Sequence, residues 1–383
     1  MAKHLMRFLL LLALSLFPAA IVQGGTEIVM YSNPVEAPFL VETIKDWEAK
    51  TGNKVTLLTG SAGSSDNLAL YQQQLGAGTS DVDIYELDVV WPGLLANHLV
   101  DLKEYSNGRE KLHTQPVITN NTINGRLVSM PLYLDAGMMF YRKDLLDKYS
   151  VPVPGSWDEL IAAAKKITTA EHQAGNNKLW GLVFQGRAYE GLTCAALEWI
   201  DSYGGGTIID IDGNVTINNP QAAAALTAAA AWIGDISPSG VLNYAEEDAR
   251  GVFQSGDSVF MRNWPYAWAL GQADDSPVKG KIGIMPVPKG TGSTSKPSGA
   301  LGGWGIGISK YSKKIAVAAD LVFFLSSAEG QRRFSLLGSY TPSALSLFDD
   351  PEIKAKNPVA ILDVFNNAVP RPAGVTGSKY NRV

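Results

Sequence analysis

Strand-like and helix-like apolar patterns alternate from residue 27 onward, and this alternation constrains the fold more than any other feature of the chain. Residues 27–31 read as a strand, and residues 55–58 read as the next one. Between them Leu40, Ile44 and Trp47 are spaced by four and then three residues, as on one face of a helix. Alternating strands and helices indicate parallel sheets with helices on both faces. We therefore predict an α/β fold.

The regular alternation of strand-like and helix-like patterns ends in the middle of the chain. Two extended apolar segments, 127–132 and 138–141, precede a helix whose start is marked by the capping-box pair Ser156 and Glu159. Residues 289–303 are rich in Gly, Ser and Thr, which predicts a surface loop. We expect further helices over 192–203, 221–233, 245–254, 315–325, 330–337 and 359–368, and strands over 82–87, 259–262, 282–285 and 306–309.

The extended segments suggest places where the chain crosses between two α/β lobes, at residues 134–135 and 263–264. Such a chain has discontinuous domains with a cleft between them, and domain interfaces are the usual place for small-molecule sites. The predicted division gives residues 25–134 and 265–314 to lobe 1, and residues 135–264 and 315–383 to lobe 2.

The N-terminus has the three parts of a secretory signal peptide. Lys3 and Arg7 precede the apolar residues 8–17, and small residues follow up to position 25. The alternative, an uncleaved anchor, is disfavoured because the apolar run is much shorter than the ~20 residues that span a bilayer. We expect residues 1–24 to be removed and the protein to be secreted.

Charge and cysteine content restrict the cellular location and the classes of binding partner that the sequence allows. Removing residues 1–24 with Lys3 and Arg7 changes the formal net charge from −5 to −7. A mildly acidic chain without basic runs argues against nucleic acid and anionic membrane surfaces. The single cysteine, Cys194, allows no internal disulfide and lies too far from the signal for a lipid anchor. We expect a periplasmic monomer in which Cys194 is a buried thiol.

The chain has no motif for a metal, a cofactor or a catalytic triad. The glycine-rich residues 302–307 do not match a dinucleotide fingerprint in register, and they precede a predicted strand rather than a helix. We therefore expect no cofactor and no metal. The histidines are scattered: His4, His98, His113 and His172.

An aromatic cluster lies in residues 262–270, directly after a predicted strand. It contains Trp264, Tyr266 and Trp268, and Pro265 disfavours helical geometry at Trp264. The three rings therefore cannot share one regular face. We interpret Trp264 and Tyr266 as a wall for a flat ligand and Trp268 as a core residue.

Acidic residues follow two of the predicted strands. Glu36 comes after the first strand and Asp88 after the third, where ligands bind in open α/β sheets. Glu36 could instead be a helix N-terminal acid, and Asp88 could cap a helix near Pro92. Position alone leaves these alternatives open.

Three further residues are candidates for ligand recognition. Asp135 lies among apolar residues and needs a partner if it is buried. Arg371 lies between two prolines, which suits either recognition or an interdomain ion pair, and Trp304 follows two glycines. Aromatic faces, carboxylates and an arginine together suit a sugar, because rings cover the C–H faces while the charged groups pair with hydroxyls.

These residues lie in segments that resemble the extracellular solute-binding proteins of ABC-type sugar importers, most closely the trehalose/maltose-binding proteins. The resemblance spans nearly the whole mature chain. Its segments are 131–137, 141–146, 185–192, 262–268, 273–280, 301–304, 307–312 and 367–372.

The resemblance implies a periplasmic-binding-protein-like fold, in which two α/β lobes joined by a multi-strand hinge close on a ligand. It also implies delivery of a disaccharide to membrane permease subunits, without catalysis. The disaccharide contacts that it implies are Glu36, Asp88, Tyr133, Asp135, Trp264, Tyr266, Gly303, Trp304 and Arg371.

The sequence departs from the family in two places. Residues 61–70 lack the arginines with which similar binders reach one glucose ring, so the preferred disaccharide can differ. Relatives also continue through further C-terminal helices, whereas this sequence stops at Val383. We expect lobe 2 to be truncated or completed differently.

The sequence leaves two other functions open. A secreted glycoside hydrolase could use Asp88 and Asp135 as its acid and its nucleophile, since such enzymes use two carboxylates. A role as a chemoreceptor partner is compatible with sugar binding.

Overall fold

The computed structural model describes residues 25–61, 63–358 and 367–382. The predicted signal peptide and most of the predicted helix over 359–368 lie outside the described residues. The strands are β1 (Glu27–Ser32), β2 (Lys54–Thr59), β3 (Ile84–Asp88), β4 (Thr122–Ile123), β5 (Arg126–Leu127), β6 (Met130–Ala136), β7 (Met138–Arg142), β8 (Trp180–Val183), β9 (Ser258–Asn263), β10 (Ile282–Met285) and β11 (Leu301–Ile308).

Helices cover both sheets. They are α1 (Ala37–Thr51), α2 (Ser64–Ala77), α3 (Pro92–Leu95), α4 (Lys103–Ser106), α5 (Gln115–Asn120), α6 (Lys143–Lys148), α7 (Trp157–Gln173), α8 (Glu190–Ser202), α9 (Pro220–Trp232), α10 (Glu246–Gln254), α11 (Tyr266–Gly271), α12 (Ile315–Leu325), α13 (Ala328–Gly338), α14 (Pro351–Lys356) and α15 (Ala373–Thr376). Within the described ranges, none is long and apolar enough to cross a membrane.

The first lobe is built on a five-stranded sheet with the order β2-β1-β3-β11-β6. β1 pairs in parallel with β2 and β3, and β11 runs antiparallel between β3 and β6. Helix α1 buries Leu40, Ile44 and Trp47 and ends at Gly52, whose φ of 73° is left-handed. The spacing of three apolar residues therefore predicts the buried face of this helix, and the glycine predicts its end.

The second lobe is built on a four-stranded sheet with the order β10-β7-β9-β8. β8 and β9 are parallel, while β7 is antiparallel to β9 and β10. The predicted capping box at the start of α7 is present: the Ser156 hydroxyl accepts from the amide of Glu159, and the Glu159 carboxylate accepts from the amide of Ser156. The outcome is the periplasmic-binding-protein-like α/β fold that was expected.

Three segments lie elsewhere than the sequence suggests. β10, within the range assigned to lobe 1, pairs with β7 in the second sheet. α12, within the range assigned to lobe 2, packs Leu321 and Phe323 into the core of the first sheet. Residues 301–303, predicted as loop, begin strand β11. Apolar periodicity predicts an element but not the sheet to which the element belongs. Glycines lack the side chains that form a strand pattern, so the start of β11 was not predicted from the sequence. With these segments reassigned, the remaining boundaries stay a proposal.

The chain passes from one sheet to the other at Gly137, between β6 and β7. The amide of Gly137 donates to the carbonyl of Ala300 at 3.0 Å, which links this crossing to the residue just before β11. A Cβ at Gly137 would collide with the side chains of Glu198 and Arg262. Only glycine lets the hinge strand pass over this buried ion pair.

Candidate functional site

A cleft between the two lobes brings all nine predicted site residues together. It is also lined by residues that the sequence did not single out, and the free volume among them is about 60 Å³. The predicted residues are Glu36, Asp88, Tyr133, Asp135, Trp264, Tyr266, Gly303, Trp304 and Arg371; the additional ones are Asn33, Val35, Ser64, Glu190, Gly191, Cys194, Glu246, Glu247 and Gly302.

Glu36 lies where β1 ends and α1 begins. It is the N-cap residue of α1, but its side chain makes no capping hydrogen bond. Instead Oε1 accepts from the Tyr133 hydroxyl at 2.8 Å, and Oε2 has no hydrogen-bond partner among the described residues. Burial, helped by the nearby Glu86, raises the pKa of Glu36 well above its usual value. The side chain therefore faces the cleft with a free acceptor rather than serving the helix.

Glu86 holds the segment that leads from β1 to Glu36. Its Oε2 accepts from the Ser32 hydroxyl at 2.7 Å and from the Asn33 amide at 2.9 Å. Burial raises the pKa of Glu86 to about 7, against these two hydrogen bonds. Glu36 lies just after β1 and Glu86 lies on the neighbouring strand β3, so a charge on Glu86 makes ionisation of Glu36 less favourable.

Arg371 joins carboxylates from both lobes. Its Nη2 lies 2.6 Å from Asp88 Oδ1, and its Nη1 lies 2.8 Å from Glu190 Oε1. The Tyr380 hydroxyl also donates to Glu190. Within the described part of the chain, Arg371 Nε has no partner. The ion pair that the sequence left open is thus present, and a donor is still free.

Asp88 serves the cleft more than a helix. It ends β3, and its Oδ1 accepts from the amide of Val90 at 3.2 Å in a local turn. The neighbouring α3 has Trp91 as its N-cap, without a side-chain capping bond. Burial raises the pKa of Asp88 even though Arg371 opposes the shift.

Asp135 is held near the carboxyl end of β6 and is 5% exposed. Its Oδ1 accepts from the amide of Ala136 at 3.1 Å. Burial raises the pKa of Asp135 well above its usual value, more than this hydrogen bond and the charge of Arg262 lower it. The partner expected for a buried acid is therefore a backbone amide.

Aromatic rings form the apolar parts of the wall. Trp304 is half-buried and packs edge-on against Trp91 with ring centroids 5.3 Å apart. Trp264 is half-buried, and the Arg262 guanidinium lies 4.1 Å from the centre of its ring. Tyr266 begins α11 and donates to Glu247 at 2.7 Å. Trp268 packs on the core of the second lobe, as predicted.

Two glycines of β11 make room for these groups. A Cβ at Gly302 would lie 3.0 Å from the Trp264 ring, which is tighter than an ordinary contact. Gly303 has a φ of 127°, and a side chain there would press on the carbonyl of Tyr133. The pairing of β11 with β6 also shifts register just after Trp304. The sequence predicted Gly303 only through family resemblance.

Sequence reasoning missed the acids of the second lobe. Glu190, Glu246 and Glu247 start helices α8 and α10, so they look like ordinary helix N-terminal acids. Glu246 accepts from the Trp264 indole at 3.4 Å and also from the Tyr189 hydroxyl. The closeness of Glu246 and Glu247 to the aromatic segment is visible only in three dimensions.

Cys194 is buried, as predicted, but it also lines the cleft. Burial raises the pKa of its thiol, so the group is uncharged at neutral pH. No cluster of His, Cys, Asp and Glu suited to a metal ion occurs within the described residues.

Comparison with known proteins identifies the family. A model described as bacterial extracellular solute-binding protein matches residues 32–332. A Deinococcus radiodurans protein named "Probable ABC transporter-binding protein" is 50% identical over 341 residues, which cover 88% of this chain and 80% of that protein.

Solved structures agree. Maltose-bound MalE3 of T. maritima superposes with a TM-score of 0.85 at 38% identity, covering 92% of this chain and 91% of that one. A Thermotoga lettingae solute-binding protein with bound α-D-tagatose has a TM-score of 0.81 at 20% identity, covers 94% of this chain and 91% of that one, and supports the fold alone. The chain therefore belongs to the bacterial extracellular solute-binding proteins, which bind solutes and are not enzymes.

Proposed function

We propose that this protein captures a disaccharide in the interlobe cleft and delivers it to the permease subunits of an ABC importer. The ligand is trehalose, maltose or a related α-glucoside. The observation that carries the proposal is the convergence of half-buried tryptophans, buried carboxyls and one arginine on a single cleft. Carbohydrates need this combination of flat apolar faces and paired acceptors and donors.

Each group has a proposed role in binding. Trp264, Tyr266 and Trp304 cover the C–H faces of the sugar rings, and Gly303 keeps the backbone of β11 clear of them. The polar side chains bind hydroxyl groups. These are Glu36, Asp88, Tyr133, Asp135 and Arg371.

Similar proteins support this ligand class. MalE3 has maltose bound and shares 38% of its residues with this chain. The Deinococcus radiodurans relative carries the name of an ABC transporter-binding protein. With the predicted signal peptide, these relatives support a periplasmic address and a permease partner, and we propose that the protein acts as a monomer. A chemoreceptor as a second partner is compatible with this role.

Binding requires the lobes to move. The free volume of about 60 Å³ is far smaller than that of small-molecule pockets, which measure roughly 300–1,000 Å³. Arg371 bridges Asp88 of the first lobe and Glu190 of the second. We infer that the cleft opens about the strands at Gly137, admits the sugar and closes again.

Hydrolysis is not supported. Family membership argues against it, and the carboxylate of Asp88, one of its two candidate residues, is occupied by Arg371. A hydrolase would need a carboxylate free to attack or a carboxyl free to protonate the glycosidic oxygen.

Isothermal titration calorimetry with trehalose, maltose, sucrose, palatinose and glucose tests the proposal. We expect saturable one-to-one binding of trehalose or maltose and much weaker binding of glucose. The same mixtures assayed for released glucose should show none. Absence of binding to every disaccharide, or turnover of any of them, would contradict the proposal.

A further inference from the structure

The cleft contains far more acid than base. Six carboxyl groups line it against one arginine. Arg371 pairs with Asp88 and Glu190, and Arg250 pairs with Glu247. Among the ion pairs of the described residues, none involves the other three acids, which are Glu36, Asp135 and Glu246.

One of these acids also has an atom without a partner. Glu36 is 4% exposed, lines the cleft, and its Oε2 accepts no hydrogen bond from any described residue. A buried acceptor without a partner is costly. A ligand group that donates a hydrogen bond to it recovers that cost, and a cationic donor recovers more than a neutral one.

We propose that the cleft accepts a sugar bearing a protonated amine in place of one hydroxyl, and rejects sugars bearing a phosphate or a carboxylate. This inference rests on the proposed function, because it names the charge class of ligand for the same site. An ammonium group supplies up to three donors and the positive charge that the cleft lacks. An anionic group would add negative charge to a cleft in which six carboxyl groups face one arginine, and it would bring acceptors rather than a donor to Glu36 Oε2.

Protonation gives an independent signature. The titratable groups that interact with Glu36 are Glu86, Asp135, Tyr71, Tyr133, Tyr266 and Tyr340. Burial raises the pKa of Glu36 and of Asp135. An ammonium beside either carboxyl lowers that pKa, so the amine displaces a proton. Binding of the amino sugar should therefore release protons, whereas binding of the neutral sugar should release fewer.

The experiment compares matched ligands on the mature protein. Trehalose and maltose are titrated beside their 2-amino and 6-amino derivatives and their 6-phosphates, at pH 7 and low ionic strength, in two buffers of different ionisation enthalpy. We expect at least one amine to bind about tenfold more tightly than its parent, with extra proton release. We expect the phosphates to bind at least about 100-fold more weakly.

Substitution of one acid locates the effect. Glu246→Gln removes a carboxylate that takes part in no ion pair among the described residues, and we expect it to reduce the ratio of amine to parent affinity about fivefold. Glu104→Gln, an exposed acid with the same change of net charge, should leave that ratio unchanged. The ratio is the readout because either variant can alter affinity for both ligands together.

The possible failures are distinguishable. If the parent disaccharides bind but no amine binds more tightly than its parent, or a phosphate binds as well as its parent, the inference is wrong and the proposed function stands. If no neutral disaccharide binds, the proposed function fails as well.

Discussion

Two clusters of buried charge lie near the hinge, and they differ in how completely their polar atoms are paired. In the second lobe Arg262 Nε donates to Glu198 at 2.9 Å, its Nη1 donates to Gln185 at 3.0 Å, and the amide of Ala300 donates to Glu198 at 3.0 Å. In the cleft, Glu36 Oε2 and Arg371 Nε have no partner among the described residues. The first cluster is complete in itself, while the second leaves a donor and an acceptor for another molecule.

This difference separates structural charge from functional charge. Both clusters are almost fully buried, so burial alone does not mark the site. A buried charge that is fully hydrogen-bonded stabilises one arrangement of the chain. A buried group with a free atom, facing a cleft, retains a cost that a ligand can remove. The predictions below test this contrast from the largest expected effect to the smallest.

The largest effect should come from the complete cluster. Arg262→Met leaves Glu198 buried and without its cation, and we expect the free energy of unfolding to fall by about 3–5 kcal/mol. Urea denaturation with circular dichroism measures this. Arg333→Met is the matched control, because its ion pair with Asp46 is partly exposed. Equal losses for the two variants would contradict the contrast.

Glu86 should make stability depend on pH. Its folded-state pKa of about 7 lies above its usual value of 4.5, so the folded protein holds this proton more tightly than the unfolded chain. Stability is therefore highest below the unfolded pKa and falls as the pH rises through 7. Relative to wild type, Glu86→Gln should gain roughly 2–3 kcal/mol between pH 5 and pH 8. Denaturation curves at both pH values give the difference. A constant offset would show that Glu86 is not buried as described.

Substitutions in the cleft should affect binding more than folding. Asp135→Ala and Trp304→Ala each remove a proposed sugar contact, and we expect at least about 100-fold weaker disaccharide binding, close to loss of measurable binding. Thermal unfolding should remain cooperative, because neither side chain belongs to the complete cluster. Calorimetry at high protein concentration measures both affinities. Unchanged affinity in both variants would refute the site assignment.

The smallest effect should come from an exposed pair. Lys50 and Glu329 form an ion pair with side chains 53% and 59% exposed. Glu329→Gln should change the free energy of unfolding by less than about 0.5 kcal/mol and leave sugar affinity unchanged. A larger loss of stability in the same urea experiment would mean that exposure is a poor guide to the strength of ion pairs in this protein.

The sequence predicts the contributions of the first lobe to the cleft better than those of the second. Glu36 and Asp88 follow strands, and the rule that ligands bind beyond strand ends selects them. Glu190, Glu246 and Glu247 begin helices, where acids are common for local reasons, so nothing in the pattern marks them. Arg262 lies in the aromatic segment, yet its partner Glu198 lies 64 residues away in the sequence, so no local pattern predicts their ion pair.

The sequence predicts where helices and strands lie better than it predicts which sheet or lobe each of them joins. The helix ending at Gly52 and the capping box at Ser156 depend on neighbours within a few residues, and both are present. β10 and α12 were recognised as elements but were assigned to the wrong lobe. Their pairing depends on contacts between residues far apart in sequence, which apolar periodicity does not encode.

A crystal structure of the mature protein with trehalose or maltose bound tests the central claim most directly. We predict that sugar hydroxyls lie within 2.6–3.2 Å of Glu36 Oε2 and Arg371 Nε, and that a ring packs on Trp304. The Arg262–Glu198 cluster should keep its present hydrogen bonds. A sugar bound elsewhere, or one bound in the cleft while both atoms remain without a partner, would contradict the account.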